Sequence, residues 1–178
     1  MDTIQDKNIS LVNNMIVTII LSLIMMVGYF LILFGVVAFI QNKKFFKFAP
    51  KDILNAILPH EERFKGAHIL GYLILFVGII LLIGPLVIGM IDGIYHDFEL
   101  YQFIIRFLTM LILLELFDIF FIDLFLLCHS SFYQYYYPET TGCEGFKHFG
   151  FNWKSHLIKT FIYILIGIGL SFIGILIK

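Results

Sequence analysis

The sequence ISLVNNMIVTIILSLIMMVGYFLILFGVVAFI, residues 9–40, contains no charged side chain. A helix needs about 20 mostly apolar residues to cross the roughly 30 Å of hydrocarbon in a bilayer. The apolar region of a removable signal peptide is shorter, about 7–15 residues, and follows a basic start. The residues before this stretch, MDTIQDK, are instead acidic on balance. The stretch therefore predicts a retained membrane-spanning helix over about residues 15–40.

Three further apolar segments follow, at about residues 69–91, 103–127 and 157–177. The chain is 60% hydrophobic and only 14% charged, whereas about a quarter of a soluble domain is charged. The apolar runs are continuous and do not alternate as the strands of a membrane barrel do. The predicted fold class is therefore all-α: a polytopic membrane protein with a four-transmembrane-helix bundle, forming a single domain over residues 1–178.

The distribution of positive charge predicts the orientation of these spans. Most Lys and Arg residues lie in the two long connections, residues 41–68 and 128–156. Positive residues are retained in the cytoplasm, so we expect both connections to be cytoplasmic and both termini to lie outside a bacterial cytoplasmic membrane. Arg106, near the outer end of the third span, is expected to extend to the membrane interface. The net charge of −1 gives no basic stripe for nucleic acid.

The first connection has its own membrane-binding pattern. Residues 52–59, DILNAILP, have the apolar spacing of a helix and follow a stretch rich in lysine and phenylalanine. This pattern is typical of a short amphipathic helix lying in the interface, and a merely amphipathic loop is the alternative. Lysines near the surface are attracted to anionic headgroups. The residues expected to contact membrane lipids are Lys43, Lys44, Lys47 and Lys51.

The predicted third span differs from the others because it carries three acidic side chains, Glu115, Asp118 and Asp123. At 100° per residue of an α-helix, all three lie on one broad face. Ionised carboxylates inside a membrane are costly, so they should face the bundle interior, be paired or be protonated. His156 and Lys159, at the start of the fourth span, are the best placed partners.

We expect the carboxyls and the nearby histidines to form one polar site that opens toward the cytoplasmic interface. Its predicted ligand is a cation, a proton, or a polar small molecule or lipid headgroup. A purely structural polar network uses the same residue types and remains an alternative. The candidate ligand-binding or proton-carrying residues are Glu115, Asp118, Asp123, His148 and His156.

Other functions remain open at this point. A metal would draw on Asp118, Asp123, His148 and His156, but these lack the close spacing of known zinc motifs, so the sequence identifies no cofactor. A membrane subunit, whose acidic face pairs with a helix of a partner membrane protein or of a second copy, is the competing class. A lipid-modifying enzyme is a third, although no nucleophile–base pair is recognisable.

Three motifs in the second half of the chain carry a family resemblance. They are LFDIFFID at residues 116–123, PETTG at 138–142 and FKHFGFNWK at 146–154. The pattern resembles an uncharacterised family of small four-span bacterial membrane proteins, with two aspartates five apart in the third span, a Pro-Gly-Thr-Glu-like loop and an aromatic segment with histidine. This chain departs from it at Glu139 and Asn152. The resemblance implies the architecture and the location of a site, and it implies no activity.

Overall fold

The computed structural model describes the backbone of residues 2–46 and 49–178, and the side chains of residues 12–46 and 49–178. Every regular element in this part of the chain is helical. Its α-helices are α1 (Asp2–Gly35), α2 (Lys51–Ala56), α3 (Ala67–Tyr95), α4 (Leu100–Phe117), α5 (Phe132–Tyr136) and α6 (Trp153–Ile177). A π-helix extends α1 through Val36–Ile40, and another extends α4 through Asp118–His129. Single 3-10 turns lie at Lys43–Phe46, Pro138–Thr140 and Glu144–Lys147.

Three helical segments are long and apolar enough to cross a membrane: Val12–Ile40, Ala67–Tyr95 and Trp153–Ile177. They cover the first, second and fourth predicted spans. Large apolar side chains point outward from them, as at Ile69, which is 74% exposed, and such a surface suits hydrocarbon as its surroundings. The segment predicted as the third span, residues 103–127, falls in α4 and its π-helical extension and is not one of these three.

The long helices pack side by side and leave two distinct ends. α1 packs along α3, α4 packs along α6, and α1 also contacts α4. At the turn end, residues 96–99 join α3 to α4. At the loop end lie the long connections, the described residues of 41–66 and residues 130–152. The acidic side chains of α4 lie toward the loop end, because the π-helix leads from them into the second connection.

Glycines allow α1 and α3 to approach until their backbones touch. A Cβ added at Gly28 would lie 2.7 Å from the Leu82 nitrogen and 2.8 Å from the Gly78 carbonyl oxygen. A Cβ added at Gly35 would lie 2.9 Å from the Gly71 carbonyl oxygen. Small residues are common where membrane helices pack closely, since apolar side chains gain little by leaving lipid. The heptad spacing of these glycines thus marks the α1–α3 interface.

The two connections fold together into a loop cap, formed by the described residues of 43–60 and by residues 132–147. Its apolar core contains Phe46, Ile53, Ile57, Tyr137 and Phe146, each at most 8% exposed. The core continues onto the ends of α1 and the π-helix of α4. The second connection is therefore a folded part of the protein.

Polar contacts hold the two halves of the loop cap together. The Gly145 N–H donates to Asp52 Oδ2 at 2.7 Å. Glu139 Oε1 lies 2.8 Å from His60 Nε2 and accepts the Leu58 N–H at 3.2 Å. Burial raises the pKa of Glu139, but its hydrogen bonds and the nearby His60 outweigh that effect and lower the pKa overall. These contacts join residues about eighty to ninety positions apart, as the separations of 79, 81 and 93 show.

The cap corrects the prediction for the first connection. The predicted helix forms as α2, but Ile53 and Ile57 on its apolar side pack against the second connection, so this side does not lie against the membrane. Three of the lysines expected at the surface, Lys43, Lys44 and Lys51, are exposed. Lys47 lies outside the described residues, and contact of these lysines with headgroups stays a prediction.

Arg106 also differs from its prediction. The side chain does not extend to the interface but is buried at the turn end, with 2% of the residue exposed. Its Nη1 donates to Asp92 Oδ2 at 2.6 Å and to the Gly89 carbonyl oxygen at 2.9 Å. The guanidinium also lies 4.4 Å from the centre of the Phe98 ring, a cation–π contact. The pairing of Arg106 with Asp92 across the α3–α4 hairpin was not predicted.

Acid should loosen the loop cap through Asp52. The hydrogen bond from Gly145 N–H is the main reason that the pKa of Asp52 lies below its ordinary value of 3.8. Because the folded pKa is the lower one, this bond stabilises the cap fully above the ordinary value and is lost as the pH falls through the folded value. Hydrogen exchange measured against pH should show protection of the Gly145 amide that falls only in this acid range. In Asp52→Asn, the Gly145 amide should be less protected and its protection should show no step with pH. An unchanged step in this variant would contradict the assignment of the step to Asp52.

Candidate functional site

Five ionisable side chains meet between α4 and α6 near the loop end. We call them the acidic cluster: Glu115 from α4, Asp118 and Asp123 from its π-helical extension, and His156 and Lys159 from the first turns of α6. In a π-helix the backbone bonds join residues five apart. Asp118 and Asp123 are five apart, so they lie one turn from each other on the same side. The helix type therefore brings these two carboxyls together.

His156 bridges two carboxyls of the acidic cluster. Its Nδ1 lies 2.7 Å from Glu115 Oε1 and its Nε2 lies 2.8 Å from Asp123 Oδ2. A neutral imidazole donates from one nitrogen only and accepts at the other. If the ring were neutral and both carboxyls ionised, the lone pair of the accepting ring nitrogen would face a negatively charged carboxylate oxygen at this short distance. The bridge therefore holds one more proton than a neutral histidine between two carboxylates, either on the ring or on a carboxyl.

Lys159 and Tyr29 hold the third carboxyl. The Lys159 ammonium donates to Asp118 Oδ2 and lies 3.5 Å from Glu115 Oε1. The Tyr29 hydroxyl, which comes from the first span, donates to Asp118 Oδ1 at 3.0 Å. The expectation that His156 and Lys159 are the internal partners of the acids is confirmed. Tyr29 was missed, and the one signal for it is that it is the single tyrosine within residues 9–40.

The structure does not bring His148 to this cluster. It is exposed on the second connection and lies near Asp52, whose pKa its charge helps to lower. The other four predicted site residues, Glu115, Asp118, Asp123 and His156, are together. A histidine five residues before α6 cannot be told from a site histidine by spacing alone, because the fold of the connection decides where it lies.

The cluster also contains a possible metal-ligand set. One ligand atom each from Glu115, Asp118 and His156 lie within 4.8 Å of one another. The Lys159 ammonium already contacts both of these carboxyls, so it takes the place that a cation would fill. A metal would have to displace this lysine from its partners. The side-chain chemistry favours a tethered ammonium over a metal ion here.

A cavity of about 390 Å³ lies between the acidic cluster and the loop cap. Its size is within the range of about 300–1,000 Å³ found for small-molecule sites. One end is polar, with Tyr29, Asp118, Asp123, His156 and Lys159 in its wall, and most of the remaining wall is apolar. The apolar and aromatic lining includes Leu33, Val37, Phe46, Ile53, Ile122, Leu127, Tyr133, Phe146 and Phe151.

A buried tyrosine hydroxyl lies in the cavity wall. Tyr137 is 1% exposed and lines the cavity, and its hydroxyl has no hydrogen-bond partner among the described residues. Burial raises the pKa of Tyr137, so the hydroxyl keeps its proton and can both donate and accept. Buried hydroxyls are normally paired. Nothing in the sequence distinguishes Tyr137 from the tyrosines beside it, because its burial depends on the loop cap.

The acidic cluster, the cavity and the unpaired hydroxyl thus form one amphipathic chamber at the loop end. Compared with known proteins, the chain matches no family model, no curated protein and no solved structure.

Proposed function

We propose that this chain is a four-span membrane protein whose cavity binds a polar small molecule or a lipid headgroup that also carries an apolar part. The observation that supports this most directly is the 390 Å³ cavity, polar at the acidic cluster and apolar toward the loop cap. Ligand sites are commonly concave and mostly apolar, with a few polar groups that fix the orientation. The unpaired Tyr137 hydroxyl, on the same wall, gives such a ligand a further contact.

The packing of α4 supports a total of four spans, of which α4 with its π-helix is the third in chain order. α4 contacts α1, α3 and α6, so in a bilayer it crosses beside them. Its 18 residues and the 12 of its π-helix exceed the length needed to span the hydrocarbon. The acids it carries are paired with α6 and not directed at lipid, as polar residues in a membrane require. With the positive charges of both connections in the cytoplasm, the cavity lies at the cytoplasmic end and both termini lie outside.

The ion pairs within the acidic cluster argue against the competing function, a membrane subunit whose acidic face pairs with a helix of a partner protein. Glu115 and Asp118 are 3% and 5% exposed, and their partners come from the same chain. A basic helix of another protein would have to displace His156 and Lys159 before it reached these carboxyls. A ligand that enters the existing cavity has no such cost.

Native mass spectrometry of gently extracted protein tests this function. The wild-type protein is expected to carry one bound molecule per chain. Ala49→Phe, which adds a ring to a cavity-lining residue, should lose about nine-tenths of that occupancy, since a filled cavity leaves no space for the ligand. Gly169→Ala is the control, because a Cβ there meets nothing within 4 Å. Equal occupancy in wild type and Ala49→Phe, or a wild-type protein without a bound molecule, would contradict the proposal.

A further inference from the structure

We propose that the polar end of this ligand is a protonated amine, so that the cavity recognises an alkylammonium group attached to an apolar body. This inference rests on the proposed function and names the chemical class of the ligand. The amine belongs to a free small molecule or to the headgroup of a lipid; its chemistry at the site is the same in both cases.

The charge of the acidic cluster is the first argument. Three carboxyls face one lysine and one histidine. With Lys159 charged and with the one additional proton that the His156 bridge requires, the cluster keeps one net negative charge. A buried charge needs a partner of opposite sign. An anionic ligand would add to the excess, whereas a monovalent cation would neutralise it.

The hydrogen-bonding groups give the second argument. The contacts of Tyr29, His156 and Lys159 in the cluster are directed at carboxyl oxygens. Each carboxylate can accept about four hydrogen bonds, so the three acids together can accept more hydrogen bonds than these three side chains can donate. The cluster therefore has more acceptors than donors. An ammonium group brings three donors and no acceptor.

The position of Asp123 indicates where the ammonium binds. Its side chain is the most exposed of the three acids, at 15% compared with 4% for Glu115 and 8% for Asp118. It lines the cavity, while Glu115 does not. Asp123 is held on one side by His156 and faces the cavity on the other. We therefore assign Asp123 as the main contact of the amine, ionised and with the proton of the bridge on His156.

Aromatic rings complete the site. Phe46, Tyr133, Tyr137 and Phe146 line the same cavity, and the faces of such rings attract ammonium groups. The unpaired Tyr137 hydroxyl lines the same cavity and offers a ligand a further hydrogen-bonding group. The apolar wall beyond these rings is suited to the body of the ligand. Carboxylates together with aromatic rings favour an organic ammonium over a hydrated inorganic cation.

Three probes of equal chain length isolate the amine. Octylamine, octanol and octanoate are titrated calorimetrically into the full chain in a neutral maltoside detergent near neutral pH. Octylamine should bind one per chain and about tenfold or more tightly than the other two, as expected for a hydrogen bond to a charged group. Asp123→Asn should remove this preference, while Asp97→Asn, at an exposed acid of the turn end, should keep it. Thermal melts of both variants establish that they are folded.

The outcomes distinguish a failure of the amine assignment from a failure of the proposed ligand-binding function. If octanol or octanoate binds as well as octylamine and Ala49→Phe blocks that binding, the amine class is wrong and the cavity is still a ligand site. If no probe binds, or if Ala49→Phe leaves binding unchanged, both proposals fail. A second pair, short-chain phosphatidylethanolamine and phosphatidylglycerol, identifies the source. Preference for the first over the second supports a lipid amine, and binding of octylamine with neither lipid supports a free amine.

Discussion

Gly28→Ala is expected to destabilise the helix bundle, although it adds one methyl group. The new Cβ would lie 2.7 Å from the Leu82 nitrogen and 2.8 Å from the Gly78 carbonyl oxygen. These are backbone atoms, so no side chain can rotate away, and α1 and α3 must separate. Overpacking of a close-packed interior costs about 1–3 kcal/mol. We expect a loss of stability within this range. It should be measured as a lower melting temperature in detergent and as aggregation on size-exclusion chromatography.

Gly169→Ala is the matched control for this prediction. It lies inside the long helix α6, but a Cβ there meets nothing within 4 Å. Alanine is the better helix former by about 1 kcal/mol, so this variant should melt at the wild-type temperature or above. If Gly28→Ala melts like Gly169→Ala, close backbone approach does not hold α1 against α3.

The second large effect is expected at the acidic cluster. Lys159→Met removes the ammonium from Asp118 and Glu115, which are 5% and 3% exposed. Breaking a buried ion pair from one side costs about 3–5 kcal/mol. The lysine side chain is 31% exposed, so water screens part of this interaction, and we expect the lower end of the range. The measurement is the free energy of unfolding, or the melting temperature, in a neutral detergent.

A double-mutant cycle separates charge pairing from packing. Lys159→Met combined with Asp118→Asn leaves no unpaired charge at Asp118, so the double variant should be more stable than Lys159→Met alone. Lys178→Met is the control, since its partner Asp97 is 87% exposed and surface pairs contribute about 0–1 kcal/mol. A double variant no more stable than Lys159→Met would show that the loss in Lys159→Met does not come from an unpaired charge at Asp118.

The features that the sequence predicts correctly depend on local pattern. A run of apolar residues long enough to span a bilayer identified three of the helices. The cost of a charge in lipid identified the acidic side chains and led directly to His156 and Lys159 as partners. In each of these cases a single physical rule acts on residues of one helix, or on the few charges available to it.

The features that were missed depend on contacts between distant residues. The hydrogen bond between Gly145 and Asp52 joins two loops 93 residues apart. No periodic pattern in the sequence predicts it. Without the loop cap the cavity does not exist, and Tyr137 is one tyrosine among several. Arg106 was misplaced because a long cationic side chain at a span end normally reaches water, whereas here Asp92 lies within reach on the neighbouring helix.

The separation of the acidic cluster along the chain has a consequence for biogenesis. Glu115 and Asp118 precede their partners on α6 by 41 residues, and a chain is made from its N-terminus. When α4 leaves the ribosome, the groups that neutralise its carboxyls have not yet been synthesised. A carboxylate at the centre of an inserting helix costs about 2.5–3.5 kcal/mol. In the proposed four-span arrangement, we therefore expect α4 to insert stably only together with α6.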